Sequence, residues 1–258
     1  MPDAPAPRPA ATILPLRDGE SGLEVLMVRR NLNSDFVCGA YVFPGGALDA
    51  SDATRPGLGL DDPAASRRLG LASGGLAYYH AAVRELFEEA GLLLAATPAG
   101  DVGAVVRHRA ELNADRVRVN AHEDDFDAVL GRYGLVVNLR GVAYLSHWVT
   151  PLGQPRRYDT RFFVVAAPAD QVAGHDEGET VAHRWIRPRD ALDAARRGEM
   201  TIILPTQRNL ALIAELESAH DVVAFAHAQR EVVRIEPRVV ERDGEVLIVV
   251  PGDPGYDD

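Results

Sequence analysis

Two apolar runs open the ordered part of the chain, ATILPL (11–16) and LEVLMVRR (23–30), and the turn-like RDGESG separates them. This pattern predicts an early β-hairpin. AYVFPGG (40–46) predicts a short strand ending in a Pro-Gly-Gly turn. Residues 49–75 are dense in Asp, Ser, Gly and Pro, with one short helical stretch near DPAASRRL. From about Ala77 to Ala90 the period becomes helical, because Val83, Leu86, Phe87 and Ala90 recur at i, i+3, i+4 and i+7. GAVVRHRAELNADRV and EDDFDAVLGRYG are two further helical stretches, followed by strand-like runs at 139–150, 158–168 and 179–186. RPRDALDAARRGE has helical spacing, and PTQRNLALIAELESAHDVVAFAHAQR starts with proline and keeps an apolar stripe for several turns. A hairpin turning at Asp243-Gly244 comes last. Strands interleaved with helices, and hairpins among them, predict an α/β fold of α+β type with a mixed sheet.

The expected organisation is a disordered, proline-punctuated lead-in over 1–10, one domain over 11–250 and a tail over 251–258. Composition narrows the function. The single cysteine, Cys38, excludes an internal disulfide framework and a cysteine-rich metal site. No apolar run has the length of a membrane span, and the start lacks a signal-peptide layout, so a soluble, cytoplasmic protein is expected. The net charge of −11 argues against a nucleic-acid partner. A small anionic ligand would then need local arginines or a bound cation.

RELFEEAGLL (84–93) is where a cation becomes plausible. Glu85, Glu88 and Glu89 fall on the side of the helix opposite the apolar stripe, with Ala81 and Ala82 just before them. Like charges at i,i+4 cost roughly 0.2–0.5 kcal/mol per pair. The helix dipole also disfavours carboxylates in its last turn. Arg84, four residues before Glu88, offsets only part of this. A hard divalent cation, which favours several oxygen ligands, would turn the repulsion into a binding site.

RELFEEAGL resembles the helix motif of the Nudix hydrolases, R-E-aliphatic-x-E-E-x-G-aliphatic, at every fixed position. The upstream half of that family's box is a glycine with a glutamate six residues later, and here Gly46 is followed by Asp52. Between Asp52 and Arg84 lie 31 residues where the family has seven, an excess of 24. A surface loop accommodates such an insertion, here 53–75, at small entropic cost. The resemblance implies an α/β/α sandwich with extra helical insertions and a small-molecule diphosphate as substrate, hydrolysed with Mg²⁺ or Mn²⁺. It further implies that Glu85, Glu88 and Glu89 ligate the metal while Arg84 orients them. Gly45 and Gly46 would let the backbone pass close to the helix start. A further ligand or general base is expected in GHDEGET (174–180), from Glu177 or Glu179.

The interrupted box resembles the coenzyme A diphosphatase-like branch, which includes the peroxisomal mammalian enzymes. LMVRRN (26–31) and Gly39-x-x-x-FPGG partly match the coenzyme A signature, although Asp35 stands where that signature has arginine. Arg29, Arg30, Arg157 and Arg161 are the candidate substrate-binding cations. Coenzyme A or an acyl derivative is the expected substrate, with ADP-ribose or NADH as the alternative and a non-catalytic ligand sensor as a third reading. Many members of the family are dimers, so a homodimer is possible. His80 is expected at the surface or partly packed, Tyr78 under the insertion and Trp148 in the core.

Overall fold

The computed structural model describes residues 5–31, 39–176, 178–242 and 245–256. Strand β1 (Arg8–Gly19) turns back into β2 (Gly22–Arg30) through Gly22, whose φ of 106° suits glycine. The short strands β3 (Tyr41–Val42) and β4 (Gly45–Ala47) attach to β2 and to the first half of β1. A single 3₁₀ turn (Ala50–Ala53), β5 (Gly57–Leu58) and helix α1 (Asp62–Leu69) lead into helix α2 (Gly75–Ala90). Then come β6 (Ala95–Ala96), α3 (Gly103–Arg107), α4 (Arg109–Asn120), α5 (Phe126–Arg132) and β7 (Val136–Asn138). The long strands β8 (Ala143–Val149), β9 (Tyr158–Ala166) and β10 (Thr180–Ile186) precede α6 (Pro188–Arg196), α7 (Leu204–Ile213) and α8 (Ala219–Ala228). Strand β11 (Arg234–Ile235) and the pair β12 (Arg238–Arg242) and β13 (Glu245–Val249) complete the described chain.

The main sheet runs β10-β2-β1-β9-β8-β11, with β3 and β4 as side branches. It is mixed, since β1 lies parallel to β9 and β11 parallel to β8 while the other pairs are antiparallel. Strand periodicity sorts the core into two layers. Ala11, Ile13, Leu26, Phe163 and Val165 face α2, whereas Leu14, Leu16, Val25, Met27, Phe162 and Val164 face the layer of α6, α7 and α8. The result is the expected α/β/α sandwich. Among the described residues no helix is long and apolar enough to cross a membrane.

Several boundaries differ from the sequence expectation. The lead-in is shorter, because Arg8 already pairs with Tyr158 at the start of β1. Tail residue Tyr256 folds back, donating from its hydroxyl to the Glu236 carbonyl at 2.8 Å. GAVVRHRAELNADRV breaks at His108 into two helices, and the long stripe beginning at Pro205 breaks before Ser218. Ser218 caps α8 by accepting from the Asp221 N–H, so a local capping bond overrides a continuous apolar stripe. The last hairpin pairs as expected from Arg238↔Val249 to Arg242↔Glu245, and its Asp243-Gly244 turn lies outside the described residues.

The insertion is part of the core. Asp61 caps α1, and Gly70 ends it at φ 67°. Ala65 and Leu69 pack with the α2 side chains, and β5 pairs with β7. A Cβ on Gly75 would lie 2.4 Å from the Ser66 nitrogen, so α1 and α2 touch backbone to backbone. Both sides of α2 are covered. Ala81 and Ala82, expected beside an open acidic face, are fully buried.

Candidate active site

Arg84 is the hub of the site. Its Nη1 donates to Glu85 Oε1 at 2.9 Å and to Glu88 Oε2 at 3.0 Å. Its other nitrogens donate to Asp52 at 3.3 and 3.2 Å and to the Ala47 carbonyl at 2.9 Å. Burial alone would lower the Arg84 pKa, but Glu85, Asp52 and Glu88 more than offset that and raise it. Asp52, fully buried, also takes Arg55 Nη1 at 2.5 Å and accepts from the Asp49 N–H. The acidic residue after Gly46 is therefore a structural counter-ion that ties the box's two halves together across the insertion.

Of the three helix carboxylates Glu89 is buried, whereas Glu85 and Glu88 keep a partly exposed edge. Burial pushes Glu85 up to about 8, with the charges of Glu88 and Glu179 adding to it and Arg84 opposing. Glu89 is pushed well above the usual carboxylate range by burial and then by Glu85 and Glu179. Glu88 is raised by burial, with Arg84 pulling the other way. Among the described residues, the one donor to the Glu89 carboxylate is the Gly45 N–H, at 3.3 Å. A Cβ on Gly46 would fall 2.4 Å from Glu85 Oε1, and one on Gly45 2.5 Å from the Ala11 carbonyl oxygen. Both glycines thus stand at close approaches, but Gly46 abuts the first carboxylate of the glutamate run and not the helix start.

Among the described residues no three His, Cys, Asp or Glu side chains surround one point closely enough to chelate an ion, because Glu85 and Glu88 both turn to Arg84. The donor chemistry nevertheless fits a hard divalent cation. Two buried carboxylates with too little positive charge beside them, and a third within reach, form an oxygen-only donor set.

The loop 174–180 comes to the same place. Glu179 pairs with Arg30 at 2.5 Å, and its charge acts on both Glu85 and Glu89. Asp176 holds that loop, accepting from the N–H groups of Glu179 at 2.9 Å and Thr180 at 2.7 Å. Glu177, expected here, lies outside the described residues, as do Asp35 and Cys38.

The other expected cations divide. Arg30 is at the site, whereas Arg29 donates to the Gly39 carbonyl at 3.3 Å beside Tyr41. Arg157 does not reach the glutamates. It is buried and donates to Thr150 O, Pro5 O and Glu236, so it fastens strand ends. Arg161 is also buried, paired with Asp159 at 2.6 Å and stacked 4.4 Å over Tyr78. It lies across β1 from Gly46, through the register Arg161↔Ala11↔Gly46. Tyr78 therefore packs under Arg161, and it belongs to the same buried cluster as Ala65 and Leu69 of the insertion. Trp148 is in the core as expected. His80, expected at or near the surface, is fully buried, and its Nδ1 meets the Asp52 carbonyl at 2.9 Å. Arg55, Arg116 and Asn120 carry no local sequence signal, since their partners Asp127, Gly174 and Glu88 lie tens of residues away.

Comparison with known proteins places this geometry. The family model for the NUDT19 Nudix domain matches residues 66–212, more than half of the chain. The acyl-coenzyme A diphosphatase NUDT19 of Gallus gallus is 29% identical over 279 residues, covering 92% of this chain and 74% of that protein. The protein of the same name from Homo sapiens is 26% identical over 272 residues, covering 91% and 72%. A crystal structure of a NUDIX hydrolase from Alicyclobacillus acidocaldarius superposes with a TM-score of 0.62 at 29% identity, covering 85% of this chain and 96% of that one. The helix carrying Arg84, Glu85, Glu88 and Glu89 lies inside the matched span, and the chain belongs to the NUDT19 Nudix domain family.

Proposed function

We propose that this chain is a divalent-metal-dependent pyrophosphohydrolase whose substrate is coenzyme A or an acyl-coenzyme A. The observation that carries this is the buried, carboxylate-rich face of α2, with Glu85 and Glu89 pushed up and facing the loop that bears Glu179. The substrate class is supported by relatives that carry the name acyl-coenzyme A diphosphatase over more than nine-tenths of this chain.

Glu85, Glu88 and Glu89 are the residues that would hold Mg²⁺ or Mn²⁺. Bound there, such an ion neutralises the phosphoanhydride and lowers the pKa of a water. Arg84 positions Glu85 and Glu88 through one nitrogen, which fixes the spacing of two donors. Arg30 balances Glu179 and lies on the approach to Glu89. Glu179, or Glu177 in the same loop, takes the proton of the attacking water. The water oxygen bonds to one phosphorus while the bridging P–O bond breaks, and the second phosphate leaves with the bridging oxygen.

A panel of coenzyme A, acyl-coenzyme A, ADP-ribose and NADH, with products identified by mass, tests the reading. Metal-dependent release of 3′,5′-ADP and a phosphopantetheine product is expected. Turnover of ADP-ribose or NADH alone would move the assignment to dinucleotides. Inertness toward the whole panel, in a protein that still binds one of these compounds, would favour a sensor.

A further inference from the structure

We propose that Arg116, on α4, is a positioning residue that clamps the glutamate helix to the loop carrying Glu179. The proposal deepens the reading above and rests on Glu179 acting at the metal site. Arg116 Nε donates to the Glu88 carbonyl at 2.9 Å, and Nη2 donates to the Gly174 carbonyl at 2.9 Å. One planar guanidinium thus bridges the last turn of α2 and the first residue of the loop. The Gly174 N–H closes the join by donating to the Ala90 carbonyl at 2.9 Å.

The surroundings are shaped for this side chain. A Cβ on Gly91 would lie 2.9 Å from Arg116 Nη1, and Gly91 has a φ of 67° that glycine adopts freely. The nearest heavy atom to a Cβ on Gly174 would be the same nitrogen, at 4.0 Å. Guanidinium charge at a helix C-terminus also complements the exposed carbonyls and the buried Glu89. From Gly174 the path to the chemistry is short. Asp176 holds the Glu179 and Thr180 N–H groups, and Glu179 faces Glu85 and Glu89. Arg116 touches Glu88 only through its backbone carbonyl and reaches neither the reacting atoms nor a metal-donor carboxylate, so its effect on turnover passes through the spacing between two sets of carboxylates.

Asn120 supplies an internal control. Its Nδ2 donates to the same Glu88 carbonyl at 2.9 Å but, among the described residues, makes no bond to the loop. If Arg116 served only as a helix cap, Arg116→Met and Asn120→Ala would behave alike. Lysine is a point donor and cannot span two carbonyls as a planar fork does.

The test combines amide hydrogen exchange over residues 174–180 with steady-state kinetics on coenzyme A at saturating Mn²⁺. In Arg116→Met, protection of the loop amides is expected to fall at least tenfold. kcat is expected to drop about 10- to 100-fold, the scale of an ångström-sized misplacement, with KM changed less than threefold. Arg116→Lys should fall between, Asn120→Ala should keep kcat within twofold, and millimolar methylguanidinium should restore part of the Arg116→Ala rate. Unchanged loop protection in Arg116→Met overturns the clamp, whether or not the protein hydrolyses coenzyme A. Equal kcat losses in Arg116→Met and Asn120→Ala overturn it as well. A wild-type kcat in Glu179→Gln, with loop protection still lost in Arg116→Met, would remove Glu179 from the chemistry and leave the clamp standing.

Discussion

The arginine that Glu85 leans on, Arg84, is already divided among four carboxylates and a carbonyl, and buried Glu89 has Arg30 as its opposing charge. Folded, metal-free Glu85 keeps its proton up to about pH 8, whereas an ordinary glutamate releases it near 4.5. Its contribution to stability is therefore complete below pH 4.5 and is lost as the pH rises through 8. The unfolding free energy of the metal-free protein should fall between pH 5 and 8 by an amount on the order of a few kcal/mol, and its melting temperature should fall with it. Saturating Mn²⁺ should flatten that slope, because it stabilises the ionised form. Thermal melts across this range with and without metal check the sign. Glu89→Gln should keep the fold of the metal-free protein, since the amide fills the same buried place, while abolishing metal-dependent turnover. Asp52→Ala leaves Arg55 and Arg84 short of their buried counter-ion and should cost about 3 kcal/mol in a denaturant titration.

The glutamate helix owes its place to neighbours on both sides. Its N-terminal half rests on α1 through Gly75, and Gly75→Ala would drive a methyl into the Ser66 backbone. That change should destabilise the fold by about 1–3 kcal/mol, readable as a lower denaturation midpoint, with metal affinity of the folded protein retained. Gly46→Ala should do the reverse, displacing the Glu85 carboxylate and weakening Mn²⁺ binding at least tenfold while the midpoint moves little. The helix itself was legible because its signals are local. Gly91 ends it, the apolar stripe sets its core face, and the glutamate run marks its chemistry. Asp61, Pro63 and Gly70 bracket α1 in the same way. Its contacts were not legible. Arg55 meets Asp127 across 72 residues, and Arg116 meets Gly174 across 58. Pairings at such separation leave no periodic or spacing signal, and so Arg157, indistinguishable in sequence from a ligand-binding cation, proves to fasten strand ends.

At the scale of the whole molecule, an acidic chain gathers its site where β4, the C-terminal half of α2 and the loop before β10 meet. The parallel pairing of β1 with β9 sets Arg161 in register with Ala11 and Gly46, while the insertion is absorbed into the layer covering the N-terminal half of α2. That arrangement explains how 24 extra residues leave the two halves of the box in contact, through Asp52 with Arg84 and Gly46 with Glu85. The account depends on the α2 carboxylates being the metal donors. A titration of Mn²⁺ followed by the loss of its free-ion paramagnetic signal, on the wild-type protein and on Glu85→Gln/Glu89→Gln, tests this most directly. Binding that tightens as the pH rises toward 8 in the wild type, and is at least a hundredfold weaker in the double variant, is the predicted result. Equal Mn²⁺ affinity in both proteins would contradict it.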